Sequence, residues 1–405
     1  MNILVVGKVW PEPSSSAAGT RTMGLIAAFL DAGWSVTFAT TAQRTEHSVD
    51  LEKIAVSIQT IRVNDDAFDD WARALAPDYV VFDRYMTEEQ FGWRIEKACP
   101  DALRILDTSD LHCLRDARAQ QLKQGGALDL FNEIALREIA AIFRSDLSLM
   151  ISEFEIECLQ SAFQVPAAQL CYLPLMLDVP VESKSDYDDR KDFVMIGSYL
   201  HAPNWDAVQW CCAEIWPFIR RALPDATLNL YGSYELEKAR QLEDAANGIH
   251  FRGRAEDALK TLECHRVNLA PLRFGAGQKG KVADGFCSGT PTVATPIAAE
   301  SMNGSMDWGC PVCADAAGFA TAAVEVYTKP KLWESVRQQG YRMVEARFLA
   351  SEWKPTLIER MESMHVGDRH GHFIGRMLRH HQHRSTEYMS RWIEAKNRLN
   401  KDAQL

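Results

Sequence analysis

A chain of 405 residues, 47% hydrophobic and 24% charged, exceeds what one ordinary core accommodates and is expected to divide into two domains of roughly 200 residues each. Its formal net charge of −11 argues against a general nucleic-acid binder, which needs a basic footprint. No apolar run approaches the ~18 to 20 residues of a spanning helix, and the composition reads as that of a soluble globular protein.

The opening MNILVVGKVW lacks a basic n-region and a small-residue cleavage site, and its apolar stretch reads as a first β-strand rather than a signal peptide. The loop KVWPEPSSSAAGTR follows, then a helix in which Met23, Ile26, Ala27 and Leu30 share one face, then the strand WSVTFAT after Gly33. This is a βαβ unit. Small residues in the loop allow a ligand close to the backbone, and Gly19 and Arg21 stand where the helix opens, Arg21 able to meet an anion there; a plain polar connection is the alternative. The strands AVSIQTIRV, YVVFDR and LRILDTSD continue the pattern, with DWARALAP and EQFGWRIEKAC as intervening helices, which argues for a parallel sheet covered on both faces. The end of this strand and the segment after it, LDTSDLHCLR (residues 106–115), cluster Asp107, Asp110, His112 and Arg115 in nine residues. RSDLSLMISEFE reads as the last strand of this half; Glu153 and Glu155 then begin a helix, where carboxylates ordinarily cap or meet the dipole, and they are assigned no other role.

The acidic stretch VESKSDYDDRK is a plausible linker to a second series: DFVMIGS, the helix NWDAVQWCCAEIWPFIRRAL, TLNLYGS, the helix ELEKARQLEDAA, IHFRG, the helix AEDALKTLECH, VNLAPL and TPTVAT. Two doubly wound domains in tandem place their strand C-terminal ends across a shared cleft. Between the last two strands lies PLRFGAGQKGKVADGF, residues 271–286. Gly275 and Gly277 let backbone N–H groups approach an anion, the following helix N-terminus adds partial positive charge, and Arg273, Lys279 and Lys281 supply charges suited to a diphosphate. Asp284, three residues past Lys281, projects near the same helix end and can accept two sugar hydroxyls. Taken alone, the motif is more often a glycine turn with solvated lysines.

Ten cysteines at irregular positions fit reduced thiols in the cytoplasm better than a disulfide framework. Cys310 and Cys313 have zinc-like spacing, but no second Cys or His pair lies close by. Paired aspartates at 65, 69 and 188 lie in polar, loop-like sequence, so no metal site is expected. Residues 365–405 differ from the rest: eight Lys/Arg against four Asp/Glu give +4, leaving −15 on the preceding 364 residues, and six of the eleven histidines fall there. Ile374, Leu378, Tyr388, Trp392 and Leu399 recur at helical spacing among Arg, His and Lys, predicting a basic amphipathic helix over 373–400. It can fold back on its own acidic body, contact another subunit, or lie peripherally on a cytoplasmic membrane face.

GSYLHAPNWDAVQWCCAEIWPFIRRALPDATLNLYGS, FRGRAEDALKTLECHRVNLAPLRFGAGQKGKV and GTPTVATPIAAES, in this order, resemble the C-terminal half of family 4 glycosyltransferases of the GT-B fold. The resemblance is close over about residues 190–350 and looser over the N-terminal half. It implies two Rossmann-like α/β domains facing across a cleft, with an acceptor-side domain at 1–185, a nucleotide-sugar domain at 186–364 and the helical tail at 365–405. It implies transfer of a hexosyl-like group from a nucleoside-diphosphate sugar, with retained configuration, without metal or cofactor, to an acceptor that is a glycan, a lipid-linked sugar or a protein. The donor-binding roles then fall on Gly19, Arg21, Gly197, Arg273, Gly275, Gly277, Lys279, Lys281, Asp284 and Glu300, and the catalytic ones on His112, Asp110, Arg273 and Lys279. Of the two glutamates many such proteins carry, the first position is Ala276 here and the second Asp284. The alternatives are a non-catalytic nucleotide-sugar-binding relative and a sugar-nucleotide epimerase on the same fold; the latter needs further acid/base groups lining the cleft.

Overall fold

In a computed structural model, residues 1–233 and 237–402 are described. Seven short, β-rich segments pair in parallel as the first sheet: β1 (Asn2–Gly7), β2 (Ser35–Thr40), β3 (Ser57–Thr60), β4 (Tyr79–Asp83), β5 (Leu103–Asp107), β6 (Leu147–Met150) and β7 (Leu170–Tyr172), in spatial order β3-β2-β1-β4-β5-β6-β7. β4, β5 and β6 are buried along their whole length, as a sheet covered by helices on both faces requires. The second sheet holds β8 (Lys191–Ile196), β9 (Leu228–Tyr231), β10 (Ile249–Gly253), β11 (His265–Ala270) and β12 (Thr292–Ala294), again parallel, in order β10-β9-β8-β11-β12.

The order of each sheet reverses beside its first strand. Loops leaving β8 and β11 therefore diverge and open a crevice between them, as do those leaving β1 and β4, and the two crevices face each other. Around β8 the core is built on Phe193, Trp216, Phe319 and Trp333, all essentially inaccessible. The helix expected over 204–223 forms as Ala202–Trp210 and Trp216–Ala222 joined by a π-helical turn at Cys211–Ile215, whose added residue keeps both Cys211 and Ile215 buried. Of the helix expected from ELEKARQLEDAA, only Glu237–Arg240 is helical among the described residues; its start lies outside them. All ten cysteines are free thiols, most of them partly or fully buried.

The chain crosses back before the tail begins. Helix Ala350–Glu362 puts Leu357 and Met361 into the first domain's core beside Leu25, Phe29 and Trp34, and the Met361 carbonyl accepts from the Tyr79 hydroxyl at 3.2 Å. The expected second domain over 186–364 is thus corrected at its end: apolar burial assigns this helix to the first domain. The tail forms helices Phe373–Leu378 and Arg384–Asp402 around a π-helical turn at Arg379–His383. It lies on helices Tyr85–Ala98 and Glu133–Arg144 of the first domain. Among the described residues no helix is long and apolar enough to cross a membrane.

Candidate functional site

The two crevices enclose a cavity of about 490 Å³ between the domains. One wall comes from the loop after β1 and helix Ala17–Asp31, a second from residues 109–115, and the third from residues 196–204 after β8 and 272–284 after β11. Asp110, His112, Arg21, Gly197, Gly275, Lys279, Lys281 and Asp284, all expected from the sequence, line it.

Lys279 caps helix Gly280–Cys287 and is almost fully buried; its ammonium donates to the Gly277 carbonyl. Lys281 sits two residues along, in the first turn of that helix, and donates to the Asn204 side-chain oxygen at 2.7 Å. Among the described residues neither ammonium has a carboxylate within ion-pair distance. Burial, only partly offset by the fields of Glu300 and Glu155, lowers Lys279 to about 8, and burial against Asp284 lowers Lys281 to about 8. Burial raises Asp284 to about 7, with Lys281 opposing the shift. Two desolvated cations and a carboxylate thus converge at a helix N-terminus, where an anion is favoured.

The 109–115 segment is held from behind. His112 Nδ1 lies 3.0 Å from the Asp110 carbonyl oxygen and 3.2 Å from Glu138 Oε1, and its ring meets Tyr85 edge-on. Burial works against a charged imidazole, yet the Glu138 hydrogen bond and the Asp110 and Glu138 charges raise the His112 pKa. Burial likewise opposes ionised Asp110, but the Arg115 guanidinium beside it, with His112 and His201, holds it at about 2.

Five expected residues lie elsewhere or face other partners. Arg273 is held by both oxygens of Asp206, at 2.9 and 2.5 Å, over the Trp210 ring and outside the cavity wall, because helix Ala202–Trp210 sets a carboxylate directly beside it. Glu300 forms a two-bond pair with Arg118 at 2.9 and 2.6 Å and is likewise outside the wall. Gly19 serves the helix start: its N–H meets the Ser16 cap at 3.1 Å, and a Cβ there would stand 2.4 Å from the Glu12 backbone. Gly277 has φ +66°, a Cβ would lie 2.9 Å from that of Asp110, and its N–H donates to Glu155 at 2.7 Å instead of facing a ligand. Arg21, though it lines the cavity, is bound to Asp107 at 2.7 Å and to the Leu173 carbonyl oxygen at 2.8 Å.

Other groups enter that the sequence did not single out. Glu155, fully buried, accepts from Leu111 N at 2.8 Å as well as from Gly277 N, tying the first domain to the glycine loop of the second. Burial and the Asp110 charge raise it to about 8 against the pull of those amides. Arg118 donates to the Gly275 carbonyl at 2.8 Å and makes a second crossing. His201 lines the cavity beside Asn204 and is lowered to about 4 by burial, despite the Asp110 charge. Arg254 donates to Ser14 Oγ at 2.8 Å at the other end. The sequence signal for His201 and Asn204 was their place in the loop after the domain's first strand; for Glu155 there was none, since a helix-start carboxylate looks the same whether it caps or bridges.

Residues 190–329 match the family described as Glycosyl transferases group 1. No curated protein sequence matches the chain. Solved structures share its architecture at low identity. The sucrose-phosphate synthase of Thermosynechococcus elongatus aligns with TM-score 0.68 and 14% identity over 89% of this chain and 98% of its own. Anabaena HepE in complex with UDP-glucose aligns with TM-score 0.68 and 13% identity over 90% of this chain and 100% of its own. A glycosyltransferase from Rickettsia africae aligns with TM-score 0.66 and 10% identity over 90% and 99%. The fold is GT-B, as the resemblance implied, and the family match falls on the half that carried it.

Proposed function

We propose that the chain is a glycosyltransferase that moves a sugar from a nucleoside-diphosphate donor, with retained configuration and without a metal ion, to an acceptor bound on the first-domain side of the cleft. The observation that carries this reading is the pair of desolvated lysines, 279 and 281, facing the cavity without carboxylate partners and with Asp284 beside them. Two such cations are costly to hold alone and match the two to three charges of a bound diphosphate. In this assignment Lys279 and Lys281 take the phosphates, and Asp284 accepts from the ribose hydroxyls. Departure of the nucleoside diphosphate builds negative charge on the leaving oxygen, which these fixed ammoniums stabilise without reorganising. Asp110 and His112 sit across the cavity, where Asp110 is ionised and can stabilise an oxocarbenium-like anomeric carbon, and where His112 can donate from its outer nitrogen.

The HepE structure holds UDP-glucose, so a uridine diphosphate sugar is the first donor to try. Incubation with a panel of UDP, GDP and ADP sugars tests the reading: one donor raises the melting temperature and is slowly hydrolysed to free nucleoside diphosphate. A ligand at 100 times its dissociation constant stabilises by about 2.7 kcal/mol. Stabilisation with no release of diphosphate by any donor identifies a binding protein instead; neither effect removes the nucleotide-sugar assignment.

A further inference from the structure

The tail packs with its polar side inward. Gly375, Arg379, His383 and Ser390 are buried. His383 lies between Glu88 and Glu96, Arg379 donates to the Arg144 carbonyl at 2.8 Å, Glu387 pairs with Lys97, and Ser390 and Glu394 both meet Arg94. At residue 375 a Cβ would stand 2.2 Å from the Phe143 carbonyl oxygen, so the helix is seated as closely as backbone allows.

Most of its apolar residues are consequently outside; Leu378, expected on the same stripe, instead packs against the first domain's core. Phe373, Ile374, Met377, Tyr388, Trp392 and Leu399 are all exposed, Tyr388 at 69% and Trp392 at 60%. A helix that only covers its own domain has the opposite arrangement, with the apolar stripe facing the core. The helix's own charge on the outer side is basic, although Arg391 reaches back to Glu387 and Arg398 pairs with the exposed Asp66 of the first domain. Arg376, Arg384, Arg391, Lys396 and Arg398 are exposed, and the two acidic residues of 373–400, Glu387 and Glu394, are turned inward with side chains 13% and 11% exposed. Lys396 also stands over the Trp392 ring at 5.4 Å.

Aromatic and aliphatic side chains flanked by cations, with the tail's own acids at 387 and 394 turned inward, suit the interface of an anionic bilayer: rings sit at headgroup depth while long basic side chains such as Arg384 and Lys396 reach the lipid phosphates. A second copy fits less well, because a two-fold contact would set this face and its cations against themselves. We infer that the outer face of residues 373–400 docks the first domain on an anionic phospholipid bilayer. This does not depend on the reaction carried out in the cleft.

Full-length protein is sedimented with phosphatidylcholine vesicles and with vesicles of phosphatidylcholine and phosphatidylglycerol, at low and high salt. Tyr388→Ser with Trp392→Ser, and Arg384→Ala with Lys396→Ala, change exposed positions only, and unchanged thermal melts verify that both variants are folded. The protein is expected to sediment with the anionic vesicles and to lose partitioning as salt rises. The basic pair lowers partitioning roughly fivefold per cation removed, and the aromatic pair lowers it about tenfold or more. Failure to sediment with anionic vesicles, equal binding to neutral ones, or variants that bind as the parent does would each overturn the inference. So would a concentration-dependent dimer that Tyr388→Ser with Trp392→Ser abolishes, since the occupant would then be a second copy.

Discussion

Lys279 and Arg273 carry the same charge six residues apart in the same motif, yet they are different groups physically. Arg273 is already neutralised by Asp206, while Lys279 is desolvated and, among the described residues, has no carboxylate within ion-pair distance. Lys279→Ala is therefore expected to weaken nucleoside-diphosphate binding by roughly 10- to 100-fold, the worth of a charge-assisted contact, and to leave nucleoside binding nearly unchanged; Arg273→Ala changes neither by more than about twofold. Calorimetry with both ligands reads the difference, and equal losses for the two ligands in the lysine variant would sink the assignment. Asp284→Asn keeps the fold and reduces the preference for ribose over 2′-deoxyribose nucleotides, because an amide does not accept both hydroxyl protons as a carboxylate does. The pH dependence follows from the same three groups. Both lysines titrate at about 8 in the free protein, so they lose the charge a diphosphate needs above that pH, and a bound diphosphate raises them again. Asp284 gains a proton below about 7 and ceases to be a double acceptor. Affinity for a nucleoside diphosphate is expected to pass through a maximum between these limits, with proton uptake on binding on the alkaline side. A flat profile from pH 6 to 9 would contradict the placement of all three.

At the scale of elements, the glycine loop after β11 is held in place from the other domain. Glu155 accepts from Leu111 N and Gly277 N across the cleft. Glu155→Ala leaves two buried N–H groups without a partner, and is expected to cost on the order of 3 kcal/mol in a urea melt and to weaken donor binding by loosening the loop. A variant as stable as the parent would mean that water replaces the carboxylate. The strands, the loop and the helix after it were legible in 271–286, because alternating burial and glycine spacing are local properties. The partner of Gly277 was not, since Glu155 is 122 residues away and chemically resembles any carboxylate near a helix start. The tail is the clearest case. Its amphipathic spacing was read correctly as a helix, and Ile374, Tyr388, Trp392 and Leu399 do share a side, but which side meets the protein depended on Glu88, Glu96 and Arg94 waiting on another helix.

For the whole molecule, residues 350–402 act as a brace that returns from the second domain to the first. Ending the chain after His365 would remove Arg379 and His383 from Glu96, Gln382 from Arg144, and Arg369 from Asp146. Glu96 and Asp146 would then be left to Arg104, and Arg144 to Glu88, and the melting temperature is expected to drop by on the order of 10 °C, with the loss confined to the first domain's transition. A shortened chain that melts like the full one would show these pairs to be dispensable.

The amino-acid sequence by itself determined the βα alternation, the parallel sheets and the diphosphate-suited motif, since each rests on periodicity and short-range chemistry. It also carried the resemblance to GT-B glycosyltransferases that the architecture bears out. Only the tertiary structure decided which of the chemically equivalent groups face the cavity. Arg273 and Glu300 found counter-ions on neighbouring helices, Lys279 and Lys281 did not, and Ala350–Glu362 with the tail returned to the first domain. The physical reason is that a charge acts on a ligand only when nothing nearer neutralises it, and the nearest neutralising group is fixed by packing between segments far apart in the chain.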